Sequence, residues 1–92
     1  MSNTYSLINY FDVWGNPQDG YEVNDQCVEF TDLVITEDAT DKDILEYLVS
    51  IGFLATADRR RLVVEDNGDF IEIYERKGMK PICSLRDNSV FT

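Results

Sequence analysis

The chain has 92 residues and a formal net charge of −10, with 43% hydrophobic and 28% charged residues. This length and apolar content predict one folded domain over residues 1–92 and exclude a disordered chain, while the negative charge disfavours direct binding to nucleic acid or to an anionic membrane. The sequence contains no histidine, which removes the commonest general acid or base and the commonest metal ligand. We therefore expect a protein that is not an enzyme and that needs no cofactor or metal.

The N-terminal segment, MSNTYSLINYF, lacks the positive charge and the continuous apolar run of a signal peptide. Elsewhere no apolar run approaches the roughly 20 residues that a membrane-spanning helix needs. These features predict a cytoplasmic protein. We therefore interpret Cys27 and Cys83 as reduced thiols, which in such a compartment are more often small apolar residues than a disulfide.

Two long apolar segments open the chain. Aromatic and β-branched residues dominate residues 5–14, YSLINYFDVW, and predict a strand inside the sheet because both of its faces carry apolar groups. A loop at 15–20 separates it from residues 21–35, where the apolar residues change phase twice. A strand cannot change phase without an irregularity. We expect irregularities at 24–26 and at 31–32, in one bent strand or in two short ones.

One amphipathic helix is predicted over residues 41–51. Thr40 is a suitable N-cap, acidic residues occupy the first turn, where the helix dipole favours negative charge, and Gly52 stands where a glycine commonly ends a helix. At about 100° per residue, the apolar side chains form one broad arc, which we expect to pack on the sheet. The arc consists of Ile44, Leu45, Leu48, Val49 and Ile51.

A β-hairpin within residues 62–76 is the clearest local prediction. Asn67 and Gly68 separate two apolar-rich runs, and this dipeptide favours a two-residue type I′ turn with positive φ at both positions. Such a turn would place Val64 opposite Ile71. The residues expected on the core face of the hairpin are Leu62, Val64, Ile71 and Ile73.

A short last strand is expected over residues 82–86, at an edge of the sheet. Pro81 would begin it, at a position where a missing N–H is tolerated, and the final six residues are expected to fray. Together these elements predict an α+β fold. It would contain a small antiparallel sheet of four to five strands, with one amphipathic helix packed on one face.

Negative charge is concentrated in the first two thirds of the chain. Residues 1–58 contain twelve acidic side chains and one basic one, whereas residues 59–92 contain six acidic and seven basic ones. Such a surface either serves only to keep the protein in solution or imitates the phosphates of a nucleic acid, since alternate residues of a strand lie about 6.7 Å apart. The candidate partner-binding residues are Glu22, Asp25, Glu29, Asp32, Glu37, Asp38, Asp41, Asp43 and Glu46.

Two further charged clusters each have a structural and a functional interpretation. Residues 38–43 resemble a cation-binding loop, but they lack its glycine and its distal glutamate, and helix capping already accounts for them. Arg59, Arg60 and Arg61 either neutralise nearby carboxylates or contact an acidic partner or an RNA. The sequence leaves that choice open.

Four segments carry a resemblance to other proteins: NYFDVWGN, GYEVNDQCVEF, ATDKDILEYLVSIGFL and EDNGDFIEIYERKGMKP. They resemble a group of short acidic proteins of unknown function from Gram-positive bacteria and their mobile elements. The resemblance covers most of the chain and brings no functional residues with it. It implies a context, because small acidic proteins of phages and conjugative elements are often inhibitors of host defence, including anti-CRISPR and anti-restriction proteins, while others are accessory regulators.

The leading hypothesis is a non-catalytic acidic protein-binding module that blocks or modulates a basic, nucleic-acid-handling protein. The alternative is a structural or regulatory protein that forms homo-oligomers through exposed aromatic side chains, with an acidic surface that serves only solubility. The aromatic candidates for that interface are Tyr10, Trp14, Tyr21, Phe70 and Tyr74.

Overall fold

Residues 3–68 and 70–91 are described by a computed structural model, in which one antiparallel sheet carries one α-helix. The strands are β1 (Asn3–Asn16), β2 (Gly20–Ile35), β3 (Leu62–Asp66), β4 (Phe70–Glu75) and β5 (Pro81–Asp87), the helix is α1 (Asp41–Ser50), and short 3₁₀ helices cover Thr56–Arg60 and Asn88–Phe91. The five strands follow the order β2-β1-β5-β4-β3, which confirms the expected α+β fold. Within the described residues, no helix is long and apolar enough to cross a membrane.

β1 and β2 form a long hairpin that is irregular where the sequence predicts it. Register shifts between the two strands fall beside Asp25 and between Phe30 and Leu33, which confirms the irregularities expected at 24–26 and at 31–32. A further shift, between Val28 and Phe30, was not expected. β2 is nevertheless one continuous strand.

The second irregularity is held by the side chain of Asn88. Its Nδ2 donates to Thr31 O at 2.6 Å and to Thr4 Oγ1 at 3.2 Å, and its Oδ1 accepts from Ser6 Oγ at 2.5 Å. Asp87 ends β5 and Asn88–Phe91 forms a short 3₁₀ helix, so the expectation that the final six residues fray is wrong for residues 87–91, and residue 92 lies outside the described residues. These hydrogen bonds tie the C-terminal segment to both strands of the hairpin.

α1 begins and ends at the predicted signals. Thr40 Oγ1 accepts from the backbone N–H of Asp43 at 3.2 Å, and Asp43 Oδ2 accepts from the backbone N–H of Thr40 at 3.1 Å, which is a capping box. At the other end Gly52 has φ +86, and the N–H of Phe53 donates to Leu48 O at 3.0 Å. This is the hydrogen bond of a Schellman motif, for which glycine is the favoured residue.

The hydrophobic core lies between α1 and one face of the sheet. Its buried members are Leu7, Leu33, Ile35, Ile44, Leu45, Leu48, Leu62, Val64, Ile71, Ile73, Cys83 and Leu85. Three residues of the predicted helical arc are in this cluster, and the other two, Val49 and Ile51, are half-buried. The radius of gyration is 12.9 Å, close to the value of about 12 Å expected for a compact chain of this length.

β3 and β4 pair with the expected core face but two residues out of the expected register. Val64 lies opposite Ile73 rather than Ile71. The turn lies between Asn67 and Phe70, one position later than expected, and the N–H of Asn67 donates to Phe70 O at 2.9 Å. Gly68 in this turn has φ +90, and Asp69 lies outside the described residues. A shift of two residues leaves every side chain on its original face. The core face was therefore predicted correctly although the turn was not.

β5 lies in the middle of the sheet, which corrects the expectation of an edge strand. It pairs with β1 on one side and with β4 on the other, and Cys83 and Leu85 are both completely buried. Pro81 is compatible with this position because it is the first residue of the strand, where the missing N–H removes little from the ladder. The edges of the sheet are instead β2 and β3.

Candidate protein-binding edge

β2 is an edge strand that carries part of the predicted acidic surface. All nine predicted partner-binding residues are exposed. Four lie on β2 (Glu22, Asp25, Glu29 and Asp32), two in the following turn (Glu37 and Asp38), and three on α1 (Asp41, Asp43 and Glu46). Val34 of β2 and Asp43 and Tyr47 of α1 line one small cleft, which places Asp43 next to the edge strand. Asp41 and Glu46 instead line a cleft beside β3, at the other edge of the sheet, so the structure does not bring them together with the acidic residues of β2.

Asp25 and Glu29 lie on either side of Cys27 and form a negative patch on β2. Cys27 Sγ donates to Glu29 Oε1 at 3.2 Å. This hydrogen bond, together with the negative charges of Glu29 and Asp25, raises the pKa of the Cys27 thiol above its ordinary value. The thiolate is thereby disfavoured at neutral pH, which makes Cys27 a poor nucleophile although it is exposed.

Large apolar side chains are exposed on the same hairpin. Trp14 is 65% exposed, Phe11 58% and Val28 57%. Trp14 lies opposite Glu22 in the hairpin, and its indole Nε1 donates to Asp12 Oδ1 at 2.6 Å. The sequence predicted exposure only for Trp14. The reason is that β5 covers β1 only over residues 5–9, a limit that no local pattern in β1 indicates.

The other aromatic residues proposed for a homo-oligomer interface are engaged within the chain. They are Tyr10, Tyr21, Phe70 and Tyr74, all half-buried. Tyr21 OH donates to Gly78 O at 3.0 Å, and the guanidinium carbon of Arg86 lies 5.9 Å from the centre of the Phe70 ring. Burial raises the pKa of the Tyr74 hydroxyl above its ordinary value, so that hydroxyl stays protonated. Of the five predicted aromatics, Trp14 is therefore the one that presents a largely free surface.

The acidic residues Asp43 and Glu46 take part in interactions that stabilise α1 and its contact with the following 3₁₀ helix. Asp43 belongs to the capping box of α1, and Glu46 Oε1 lies 3.0 Å from Arg59 Nη1. Apart from Glu46, none of the nine has a basic side chain of residues 3–68 or 70–91 within 4.0 Å. The acidic edge is therefore not neutralised from within the described part of the chain.

The structure separates the roles of the three consecutive arginines. Arg59 pairs with Glu46, and Arg61 Nη2 lies 2.8 Å from Asp58 Oδ1. A backbone hydrogen bond and the side chain of Arg61 lower the pKa of the Asp58 carboxyl. No carboxylate of the described residues lies within 4.0 Å of Arg60. Internal neutralisation therefore accounts for two of the three arginines and not for Arg60.

The second thiol, Cys83, is buried in the core. Burial, with a smaller contribution from the charge of Glu72, raises the pKa of the Cys83 thiol to about 12. Among the residues that the structure describes, no group of three or more Cys, Asp or Glu is placed to hold a metal ion. What the β1–β2 edge offers chemically is a row of carboxylates next to exposed apolar side chains.

Comparisons of this chain with models of protein families, with curated proteins and with solved structures find no match. The resemblance to short acidic proteins of Gram-positive bacteria therefore stays a prediction.

Proposed function

We propose that this protein is a non-catalytic, cytoplasmic binding protein that presents its acidic β2 edge to a basic, nucleic-acid-handling protein and thereby blocks or modulates it. The observation that carries the proposal is the row formed by Glu22, Asp25, Glu29 and Asp32, exposed on an edge strand with no basic side chain of the described residues within 4.0 Å. Neighbours in this row are three or four residues apart, so the edge presents spaced negative charges that a basic nucleic-acid-binding surface would attract.

Charge complementarity would bring the partner to the β2 edge. Two unit charges 4 Å apart attract by about 1 kcal/mol in water and by about 4 kcal/mol at the effective dielectric constant near a protein surface. Such pairs mainly raise the association rate and define the orientation of the partner. Salt screens them over about 8 Å at physiological ionic strength, so the proposed complex must weaken as the salt concentration rises.

Exposed apolar side chains make the hairpin more than a charged surface. Trp14, Phe11 and Val28 lie on β1 and β2, among the carboxylates. Tryptophan is among the residues that most often dominate binding energy at protein interfaces. The carboxylates would steer a basic partner to the hairpin, and Trp14 would then hold it.

The second candidate function is homo-oligomerisation through the same apolar side chains. Exposure of Phe11, Trp14 and Val28 favours it, while the net charge of −10 opposes it. The two functions respond to salt in opposite directions. Screening weakens the binding of a basic partner but reduces the repulsion between two copies of an acidic chain.

The test compares retention of host-cell proteins on immobilised wild type with retention on an edge variant that combines Glu22→Gln, Asp25→Asn and Glu29→Gln. Lysate is applied at low salt, and bound proteins are eluted with a salt gradient and identified by mass spectrometry. We expect wild type to retain a nucleic-acid-binding protein that moderate salt releases. The edge variant should lose it.

A matched control changes the same number of charges at the other edge of the sheet. It combines Glu65→Gln, Asp66→Asn and Glu75→Gln, which lie on β3 and β4. This control should retain the same partner as wild type. Equal retention by the edge variant, or equal loss by both variants, would contradict a role for the β2 edge.

A further inference from the structure

β3, the other edge of the sheet, has backbone groups that no strand covers. The N–H of Arg76 donates to Arg61 O at 2.6 Å, just before β3 begins. In an antiparallel pair such hydrogen-bonded positions alternate with positions whose N–H and C=O point away from the partner strand. The backbone groups of Leu62 and Val64 therefore point out of the sheet, away from β4.

A cleft of about 470 Å³ lies between α1 and this free edge. Leu45, Leu62 and Val64 form its apolar floor and are buried, and Asp41 lies at its rim on the first turn of α1. Its volume lies within the range of about 300–1,000 Å³ that is typical of ligand sites. The cleft thus combines an apolar floor with an unpaired strand.

Basic side chains surround the cleft although the chain as a whole is strongly acidic. Lys42, Arg59, Arg60 and Arg76 line it. Arg59 is paired with Glu46. For Lys42, Arg60 and Arg76, no carboxylate of the described residues lies within 4.0 Å. Three cations that have no carboxylate partner in the described part of the chain therefore line a single cleft, together with Asp41 and the paired Glu46.

We infer that this cleft binds an extended acidic segment of a partner protein, which adds a sixth strand to the sheet beside β3. The outward N–H and C=O groups of Leu62 and Val64 would pair with the backbone of the segment. Apolar side chains of the segment would contact the floor of the cleft, and its carboxylates would meet Arg60, Arg76 and Lys42. The unpaired N–H and C=O groups of an edge strand are satisfied by hydrogen bonds to the backbone of another strand. A peptide can form these bonds and a small anion cannot, so a peptide fits this cleft better.

A second copy of this chain is a poorer occupant. It would bring another net charge of −10, and the repulsion between two such chains opposes association. A nucleic acid is a poorer occupant for the same reason, because its phosphates would extend beyond the cleft onto an acidic surface.

The binding test uses a fluorescent synthetic peptide in which glutamate and valine alternate over roughly six residues, the length of a typical strand. Its control replaces every glutamate by lysine. The cleft variant combines Arg60→Glu and Arg76→Glu. The matched protein control combines Lys77→Glu and Lys80→Glu, which change the net charge equally in the β4–β5 loop. Circular dichroism confirms that both variants are folded.

Wild type and the loop control should bind the acidic peptide with similar affinity, and the basic peptide, which the acidic β2 edge attracts, should not compete with it for the cleft. The cleft variant should bind the acidic peptide at least about tenfold more weakly, because two attractive charge pairs become repulsive. Absence of binding to wild type, or equal weakening in both variants, would overturn the inference.

Amide hydrogen exchange distinguishes strand addition from simple charge attraction. On peptide binding, the amides of Leu62 and Val64 should exchange at least about tenfold more slowly, because they become hydrogen-bonded. Binding without this protection would overturn strand addition. Analytical sedimentation of the protein without peptide tests whether a second copy of the chain occupies the cleft. A dimer that the acidic peptide dissociates would show that another copy occupies the cleft and would overturn the assignment to a partner segment.

Discussion

The capping box of α1 allows a quantitative test of how one acidic residue of the candidate edge divides between stability and binding. Asp43 Oδ2 accepts the N–H of Thr40 at 3.1 Å, and the carboxylate lies in the first turn of the helix. Losing a cap interaction costs typically about 1 kcal/mol, and losing a negative charge near a helix N-terminus costs about 0.3–1 kcal/mol. We expect Asp43→Ala to reduce the free energy of unfolding by about 1 to 2 kcal/mol.

Urea unfolding followed by far-UV circular dichroism measures this change. A loss of about 1 kcal/mol corresponds to a decrease in Tm of about 4–8 °C for a chain of this size. Asp38→Ala is the matched control, because Asp38 is exposed in the turn before α1 and such surface changes alter stability by no more than about 0.5 kcal/mol.

A double-mutant cycle with Thr40→Ala tests whether the two side chains act together. Because each bonds the backbone of the other residue, we expect the double variant to lose less stability than the sum of the two single variants. Unchanged stability of Asp43→Ala, or strict additivity in the cycle, would refute the reasoning. If Asp43 stabilises α1 in this way, a variant at Asp43 can bind a partner more weakly because α1 is partly unfolded, and its stability must therefore be measured together with its binding.

Four further predictions concern the core, the chain end, the hairpin turn and the thiols. Leu48 is fully buried, so Leu48→Ala should reduce the unfolding free energy by about 2–5 kcal/mol in denaturant titrations; a smaller loss would contradict its place in the core. Asn88→Ala removes the hydrogen bonds that hold the irregular hairpin and should cost about 1–3 kcal/mol in the same assay, unlike a frayed end, where it would cost nothing. Gly68 has φ +90 with open space around it, so Gly68→Val should destabilise through backbone strain alone, by about 1–3 kcal/mol, and an unchanged Tm would argue against this turn geometry. Cys27 is exposed and Cys83 buried, so Ellman's reagent should modify Cys27 in the folded protein and Cys83 only on unfolding; equal rates would contradict the assigned burial.

The features that could be predicted from the sequence are those set by residues close together in the chain. The limits of α1 follow from Thr40 and Gly52, which act within one helical turn of each end. The irregularities of β2 follow from changes of apolar phase at 24–26 and 31–32, which have the same physical cause wherever the strand is placed. Both were confirmed.

The features that could not be predicted depend on pairing between distant segments. β5 lies at the centre of the sheet because Leu85 pairs with Leu7 on one side and with Ile71 on the other, and nothing near Leu85 in the sequence indicates two neighbours. The predicted β3–β4 register was wrong because two registers that differ by two residues bury the same side chains and expose the same side chains. Apolar patterns are insensitive to such a shift.

The candidate edges show the same division. Exposure of the acidic residues was predictable because unpaired carboxylates are rarely buried. The pairing of Glu46 with Arg59 was not, because it joins α1 to the 3₁₀ helix that follows it. The basic cleft also depends on tertiary structure, since Lys42, Arg60 and Arg76 come from separate elements, of which only Arg60 lies in the arginine cluster that the sequence singled out.

The most direct measurement of the central claim is a competition titration. The protein retained from lysate is purified and bound to a fluorescent DNA duplex, and unlabelled wild type is added while anisotropy is recorded at two salt concentrations. We predict that wild type displaces the DNA, more weakly at the higher salt, and that the variant combining Glu22→Gln, Asp25→Asn and Glu29→Gln does not. Simultaneous binding of DNA and wild type, or equal displacement by that variant, would contradict the proposal that the acidic edge occupies a nucleic-acid-binding surface.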